Sequence, residues 1–434
     1  MVDVTIKKTE KLKGDVCAPP SKAYTQRMLI AAALSHGTSK LSNPLISEDT
    51  EATLRAVKAL GAEVKELDDC WTVEGATSIK GAKKTIDCGE SGATLRFMIP
   101  VAALAPTSST FVLGSRLSQR PIEPLLASLR QLGAEAHLQT VRGKTFVRVE
   151  GGGINGGKAS MPGDVSSQFV SGLMFACPLA KADTQLGLTT LLESKSYVLM
   201  TENVLEKHGI KVTISEDFGR LKILSKQTYK PYDERVPGDF SSAAFLLAAA
   251  AITSSEVCVK NLNYGTIQGD KAILRILKEM GVNGKVCPDQ IEIDGKGEVL
   301  KAVDVNARDI PDLVPICCVL ACYAEGTSII HDAERLRLKE SDRLTSIYDE
   351  LRKMGADIDI DESSLTVKGP CQLHGATIDP HNDHRIAMAC AVAALGASGE
   401  TIIQNSDCVR KSYPRFFHDL RVLGAEIVGG ELDR

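Results

Sequence analysis

The chain has 434 residues, 43% hydrophobic and 24% charged, with a formal net charge of -4. That length exceeds one simple core and predicts two domains of about 200 residues each. The charge argues against a nucleic-acid or anionic-membrane partner, so any cationic site has to be local.

The opening residues, MVDVTIKKTEKLKG, mix charges with β-branched residues and lack the apolar core of a signal peptide. Apolar runs such as Ile386–Ala397 fall short of the roughly 20 residues that span a bilayer. The expectation is a cytoplasmic protein.

From Ser21 onward one pattern is written six times. An Ala-rich helix, apolar nearly all round and therefore buried, opens at Ser21 (SKAYTQRMLIAAAL). An amphipathic helix follows, ends at Gly61 (LRAVKALGAEVKE) and runs into a strand. The second copy opens at Ser91 and ends at Gly133; the third opens at Ser166 and ends at Gly209. QTYKPYDERVPG, with Pro231 and Pro237, reads as a connector. Three more copies run from Ser241 to Gly281, Asp312 to Gly355 and Asp383 to Gly424. The glycines recur every 69 to 76 residues, and each suits the left-handed position that ends a helix. Every opening residue is one that can cap free backbone N–H groups. β-rich stretches such as Thr110–Leu113 and Cys371–Ile378 separate the helices, which predicts two domains of three repeats.

A helix N-terminus presents unpaired N–H groups and partial positive charge, so six aligned starts predict an anion-binding cleft. Lys22, Arg27, Arg120, Lys339, Arg343, Arg385 and Lys411 lie in polar, Pro-flanked or helix-capping contexts that reinforce this. The twelve cysteines form no CxxC pair and sit in apolar stretches; they read as reduced thiols, buried at Cys317, Cys318 and Cys322.

PSKAYTQR, SGATLR, QRPIEPL, SSQF, KESDRL, NDHRIAM and RKSYP occur in this order along the chain. Together they resemble the motifs of the 3-phosphoshikimate 1-carboxyvinyltransferase (5-enolpyruvylshikimate-3-phosphate synthase) family. The resemblance implies a two-domain inside-out α/β barrel, the enolpyruvyl transferase fold, with six βαβαββ-type repeats, three per domain. Residues 19–235 would form the shikimate-3-phosphate side, residues 1–18 and 236–434 the other domain, with the active site in the cleft between them. The implied reaction moves the enolpyruvyl group of phosphoenolpyruvate to the 5-hydroxyl of shikimate-3-phosphate, in chorismate and aromatic amino-acid biosynthesis, through a tetrahedral intermediate. It needs no metal or cofactor, and glyphosate is the implied inhibitor of a monomeric enzyme.

Carried onto this chain, the resemblance assigns Lys22, Arg27, Ser166, Ser167, Gln168, Ser194, Tyr197, Asp312 and Lys339 to shikimate-3-phosphate. It assigns Lys22, Gly92, Arg120, Gln168, Arg343, Arg385 and Lys411 to phosphoenolpyruvate, with Asp312 as base and Lys22 and Glu340 as proton donors. Arginine forks suit carboxylate and phosphate. Three positions depart from the family pattern: Ala23 replaces a serine, Glu90 an asparagine, and Arg335 an asparagine. Thr25 or a backbone N–H is expected to replace the hydroxyl missing at Ala23. The related transferase acting on UDP-N-acetylglucosamine is the alternative, but it would carry a cysteine near Arg120, and Leu113–Leu126 contains none.

Overall fold

Among residues 2–67, 69–295 and 299–430, which the computed structural model describes, twelve α-helices alternate with short strands. The chain divides into an N-terminal unit, Pro20–Val236, and a C-terminal unit made of Met1–Pro19 with Pro237–Arg434. The N-terminal unit holds α1 (Lys22–Leu34), α2 (Glu48–Ala59), α3 (Gly92–Ala103), α4 (Glu123–Gln131), α5 (Ser167–Ala176) and α6 (Lys195–Lys207). The C-terminal unit holds α7 (Phe240–Ile252), α8 (Ile273–Glu279), α9 (Val314–Cys322), α10 (Arg343–Lys353), α11 (His384–Gly396) and α12 (Phe416–Val422).

Odd-numbered and even-numbered helices are of two kinds, as the sequence pattern requires. α7, α9 and α11 are buried along almost every residue and pack on one another. Their Ala, Cys and Val side chains give no polar face to turn outward. α1, α3 and α5 are likewise buried. α3 and α5 approach so closely that a Cβ on Gly172 would lie 2.3 Å from the Arg96 carbonyl oxygen. No larger residue fits there without moving one helix. The even-numbered helices keep a polar face, and each ends at its glycine, Gly61, Gly133, Gly209, Gly281, Gly355 or Gly424, at φ between 77° and 112°. A side chain at that φ would clash with the backbone, which is why the repeat is punctuated by glycine.

Four of the six predicted caps form. Ser21, Ser91, Ser166 and Asp383 each accept a backbone N–H of the first turn. The other two expectations are corrected. α7 starts at Phe240 behind Asp239, so Ser241 lies inside the first turn. Asp312 sits in a 3-10 turn, Pro311–Leu313, that leads into α9, and Leu313 takes the N-cap position of that helix. Pro311 and Pro315 bring no N–H to cap, and two arginines claim the Asp312 carboxylate instead.

Among the described residues six four-stranded sheets share one pairing scheme, a parallel pair followed by two antiparallel pairs. In the second repeat Ile86–Asp87 runs parallel to Ser109–Val112, then Lys144–Val149 and Ala136–Val141 follow antiparallel. In chain order this is βαβαββ, with the buried helix crossing between the parallel strands. The ends of the chain complete the pattern. Lys13–Cys17 is the parallel partner of Glu256–Lys260, and Val4–Lys7 lies between Glu400–Ile403 and Ile427–Gly429. Glu234–Arg235 pairs with Thr38–Ser42 and closes the N-terminal unit. No described helix is long and apolar enough to cross a membrane. Cys317, Cys318 and Cys322 are buried free thiols, and burial pushes the Cys317 thiol up to about 12.

Candidate active site

In the C-terminal unit the motif residues converge at the starts of the helices. Arg343, the first residue of α10, is 1% exposed and is gripped by three carboxylates. Its Nη1 donates to Asp312 Oδ1 at 2.8 Å, Nη2 to Glu340 Oε2 at 2.7 Å, and Nε to Asp383 Oδ2 at 2.9 Å. Burial pulls the pKa of this guanidinium down, but Asp383, Glu340 and Asp312 together push it higher still. Arg385, in the first turn of α11, donates through Nη2 to Asp312 Oδ2 at 3.0 Å. Asp312 is thus bracketed by two arginines.

Burial alone would raise the Asp312 pKa. Arg385, Lys339 and Arg343 overcome it and hold the carboxyl well below the usual carboxylate range. A fifth of its side chain reaches solvent, which leaves it open to a ligand. Lys339, in the loop before α10, is pulled down to about 7, chiefly by burial, against the attraction of Asp312. Lys411, at the end of the 3-10 turn Ser406–Lys411, donates to the Asn382 carbonyl at 2.9 Å, beside the α11 cap.

The N-terminal unit presents a second group. Lys22 opens α1 and bonds Asp49 Oδ2 at 2.8 Å. Arg27, 2% exposed, donates to Thr201 Oγ1 at 2.8 Å and to the carbonyls of Ala23 and Tyr197 at 2.9 and 3.1 Å. Its guanidinium lies over the rings of Phe97 and Tyr197 at 5.0 and 5.6 Å, and burial pulls its pKa down to about 10. Ser166 caps α5 by accepting the Gln168 N–H at 3.3 Å, with Ser167 the first helical residue. Arg96 donates to Gln168 Oε1 at 2.7 Å and so fixes that amide. Ser194 precedes α6 at φ 54°, in the left-handed region, and Tyr197 lies on the first turn of α6. Gly92 opens α3, where a Cβ would come within 3.0 Å of Arg120 Nη1. Glycine there keeps space in front of a guanidinium.

The structure also explains one departure and corrects one expectation. Glu90 accepts the backbone N–H groups of Arg116 and Leu117 at 3.3 and 2.7 Å, tying down the loop that leads to Arg120. Thr25 does not stand in for the hydroxyl missing at Ala23. It is fully buried, donating to the Ser21 carbonyl and accepting the Leu45 N–H.

Asp383 was legible in the sequence as a cap but not as a double partner of Arg343, and Asp49 carried no signal. The 40 residues between Asp383 and Arg343, and the 27 between Lys22 and Asp49, leave no spacing rule to read.

This fold and these helix starts define a class, the enolpyruvyl transferases. The enolpyruvyl transferase NikO from Streptomyces tendae has the same fold, with a TM-score of 0.81 over 99% of this chain and 98% of that one, at 19% identity. The chain belongs to the EPSP synthase (3-phosphoshikimate 1-carboxyvinyltransferase) family, whose sequence model matches residues 6–420. It is similar to the 3-phosphoshikimate 1-carboxyvinyltransferase of Methanocaldococcus jannaschii, 42% identical over 97% of this chain and 98% of that protein. The enzyme of the same name from Methanocorpusculum labreanum is 42% identical over 96% and 97%. The EPSP synthase structure from Acinetobacter baumannii gives a TM-score of 0.83 at 26% identity, over 99% of this chain and 100% of that one.

Proposed function

We propose that the protein transfers the enolpyruvyl group of phosphoenolpyruvate to the 5-hydroxyl of shikimate-3-phosphate, releasing phosphate. The observation that carries this reading is the ionised Asp312 held between Arg343 and Arg385, with Glu340 on the same arginine. Acid, base and anion-binding groups for one addition–elimination are gathered there, in a chain of the EPSP synthase family.

The residues proposed for phosphoenolpyruvate are Arg343, Arg385, Lys411, Lys22, Gly92, Arg120 and Gln168. Shikimate-3-phosphate takes Ser166, Ser167, Gln168, Ser194, Tyr197, Arg27 and Lys22, with Asp312 and Lys339. Arg385, Lys339 and Arg343 stabilise Asp312 as an anion against the cost of its burial. Substrate anions that engage Arg343 and Arg385 weaken that hold and raise its proton affinity as the hydroxyl arrives. The 5-oxygen then bonds to carbon 2, Asp312 takes its proton, and Lys22 or Glu340 delivers a proton to carbon 3. In the second step the carbon–phosphate oxygen bond breaks, carbon 3 returns its proton, and phosphate leaves with the proton it needs. The cations and helix N-termini supply the electrostatic stabilisation for both steps. The protein is proposed to act in the cytoplasm as a monomer and to bind glyphosate in place of phosphoenolpyruvate.

Phosphate release from phosphoenolpyruvate tests the reading, with shikimate-3-phosphate and UDP-N-acetylglucosamine as rival acceptors. Turnover with the first and not the second is expected. Absence of turnover with shikimate-3-phosphate would overturn it.

A further inference from the structure

One buried acid of the C-terminal unit has no part in the chemistry above. Asp270 is the second residue of the 3-10 turn Gly269–Ala272 that leads into α8 and is 2% exposed. Its Oδ2 accepts the Ser241 hydroxyl, while its buried Oδ1 accepts no hydrogen bond from the described residues. Ser241 therefore uses its hydroxyl on Asp270, and its backbone carbonyl accepts from Arg385 Nη1 at 3.4 Å. The other arm of that guanidinium holds Asp312. A chain of contacts thus runs from Asp270 through Ser241 and Arg385 to the proposed base.

We infer that Asp270 is a positioning residue for phosphoenolpyruvate: it fixes Ser241 so that Arg385 is aimed at the substrate anion, and as an anion it competes with that substrate for the same guanidinium. The inference rests on the functional reading above. A buried carboxyl with one unpaired oxygen is costly as an anion and tolerable as an acid. The charged and titratable groups around Asp270 act in opposite senses, and those that favour the acid prevail. Burial raises its pKa first; Asp312, from the turn before α9, and Asp239, at the start of α7, raise it further. Arg385 on α11 and the Ser241 hydroxyl lower it, and the balance leaves it at about 7. Cys317 on α9 feels the same carboxyl, and its thiol stays protonated at this pH. Above pH 7 Asp270 becomes a further negative charge near Arg385, competing with the substrate for that one guanidinium.

The folded-state pKa of Asp270 lies above the ordinary aspartate value, so its contribution to stability is complete below that ordinary value. That contribution is lost as pH rises through about 7. Asp270→Asn keeps an acceptor for Ser241 and cannot ionise.

Three variants test the inference by steady-state kinetics across pH 6 to 9 with each substrate varied. In the wild type, KM for phosphoenolpyruvate should climb about tenfold over this range. Asp270→Asn should flatten that climb and remove the part of the fall in melting temperature that accompanies ionisation of Asp270 as pH rises through about 7. Asp270→Ala and Ser241→Ala should raise KM for phosphoenolpyruvate about fivefold to tenfold at pH 6.5, with kcat far less affected. Asp270→Asn tracing the wild-type KM curve, or Ser241→Ala leaving KM unchanged, would overturn the inference. A wild type that releases no phosphate with shikimate-3-phosphate would instead sink the functional reading, so the two failures are distinguishable.

Discussion

The two units hold their buried arginines in opposite ways. Arg343 of the C-terminal unit is surrounded by Asp312, Glu340 and Asp383, so its charge is spent inside the protein. Arg27 of the N-terminal unit is held by two carbonyls, a hydroxyl and two aromatic rings. Neutral partners fix its direction without cancelling its charge. The C-terminal network is different, because an anion must compete there with carboxylates. That competition couples binding to the protonation of Asp312 and Asp270.

The comparison is broken most directly at Asp312. Asp312→Asn keeps the shape and removes the base, and is expected to lower kcat by about 10²–10⁴-fold while KM for both substrates moves far less. Unchanged turnover in a steady-state assay would remove Asp312 from its role.

The next effect is on stability. Arg343→Ala strands three carboxylates and should cost about 3–5 kcal/mol. Arg27→Ala leaves neutral groups behind and should cost about 1–3 kcal/mol. Thermal unfolding of the two variants side by side should show Arg343→Ala melting well below Arg27→Ala; equal melting points would contradict the contrast.

A pH profile sharpens it further. In the proposed function a charged Lys339 holds shikimate-3-phosphate, and burial brings it to about 7, so KM for that substrate should rise as pH increases above 7. Lys339→Met should raise KM at pH 6 and lose this pH dependence.

The smallest effect is expected at Gly92. An added methyl would touch Arg120 Nη1 at 3.0 Å, and the guanidinium is the end of a flexible side chain that can give way. Gly92→Ala should raise KM for phosphoenolpyruvate by about threefold to tenfold, roughly the loss of one imperfect hydrogen bond, without lowering the melting temperature.

Much of this protein is written locally. Glycine at the left-handed end of each even-numbered helix, the apolar odd-numbered helices and the caps at Ser21, Ser91, Ser166 and Asp383 follow from the chemistry of a few consecutive residues. For that reason six repeats could be counted and the motif residues placed at helix starts from the sequence by itself. The misplaced caps at Ser241 and Asp312 show where that legibility stops. Each is a good capping residue by type, and each is drawn off by a partner distant in the chain, Ser241 by Asp270 and Asp312 by Arg343 and Arg385. Only the tertiary structure decided those pairings, as it decided that Glu90 ties down the Arg120 loop and that Lys22 meets Asp49. The physical reason is common to all of them. Buried charges and hydroxyls must find partners wherever the fold brings them, and those distances are set by the packing of helices and not by spacing in the chain.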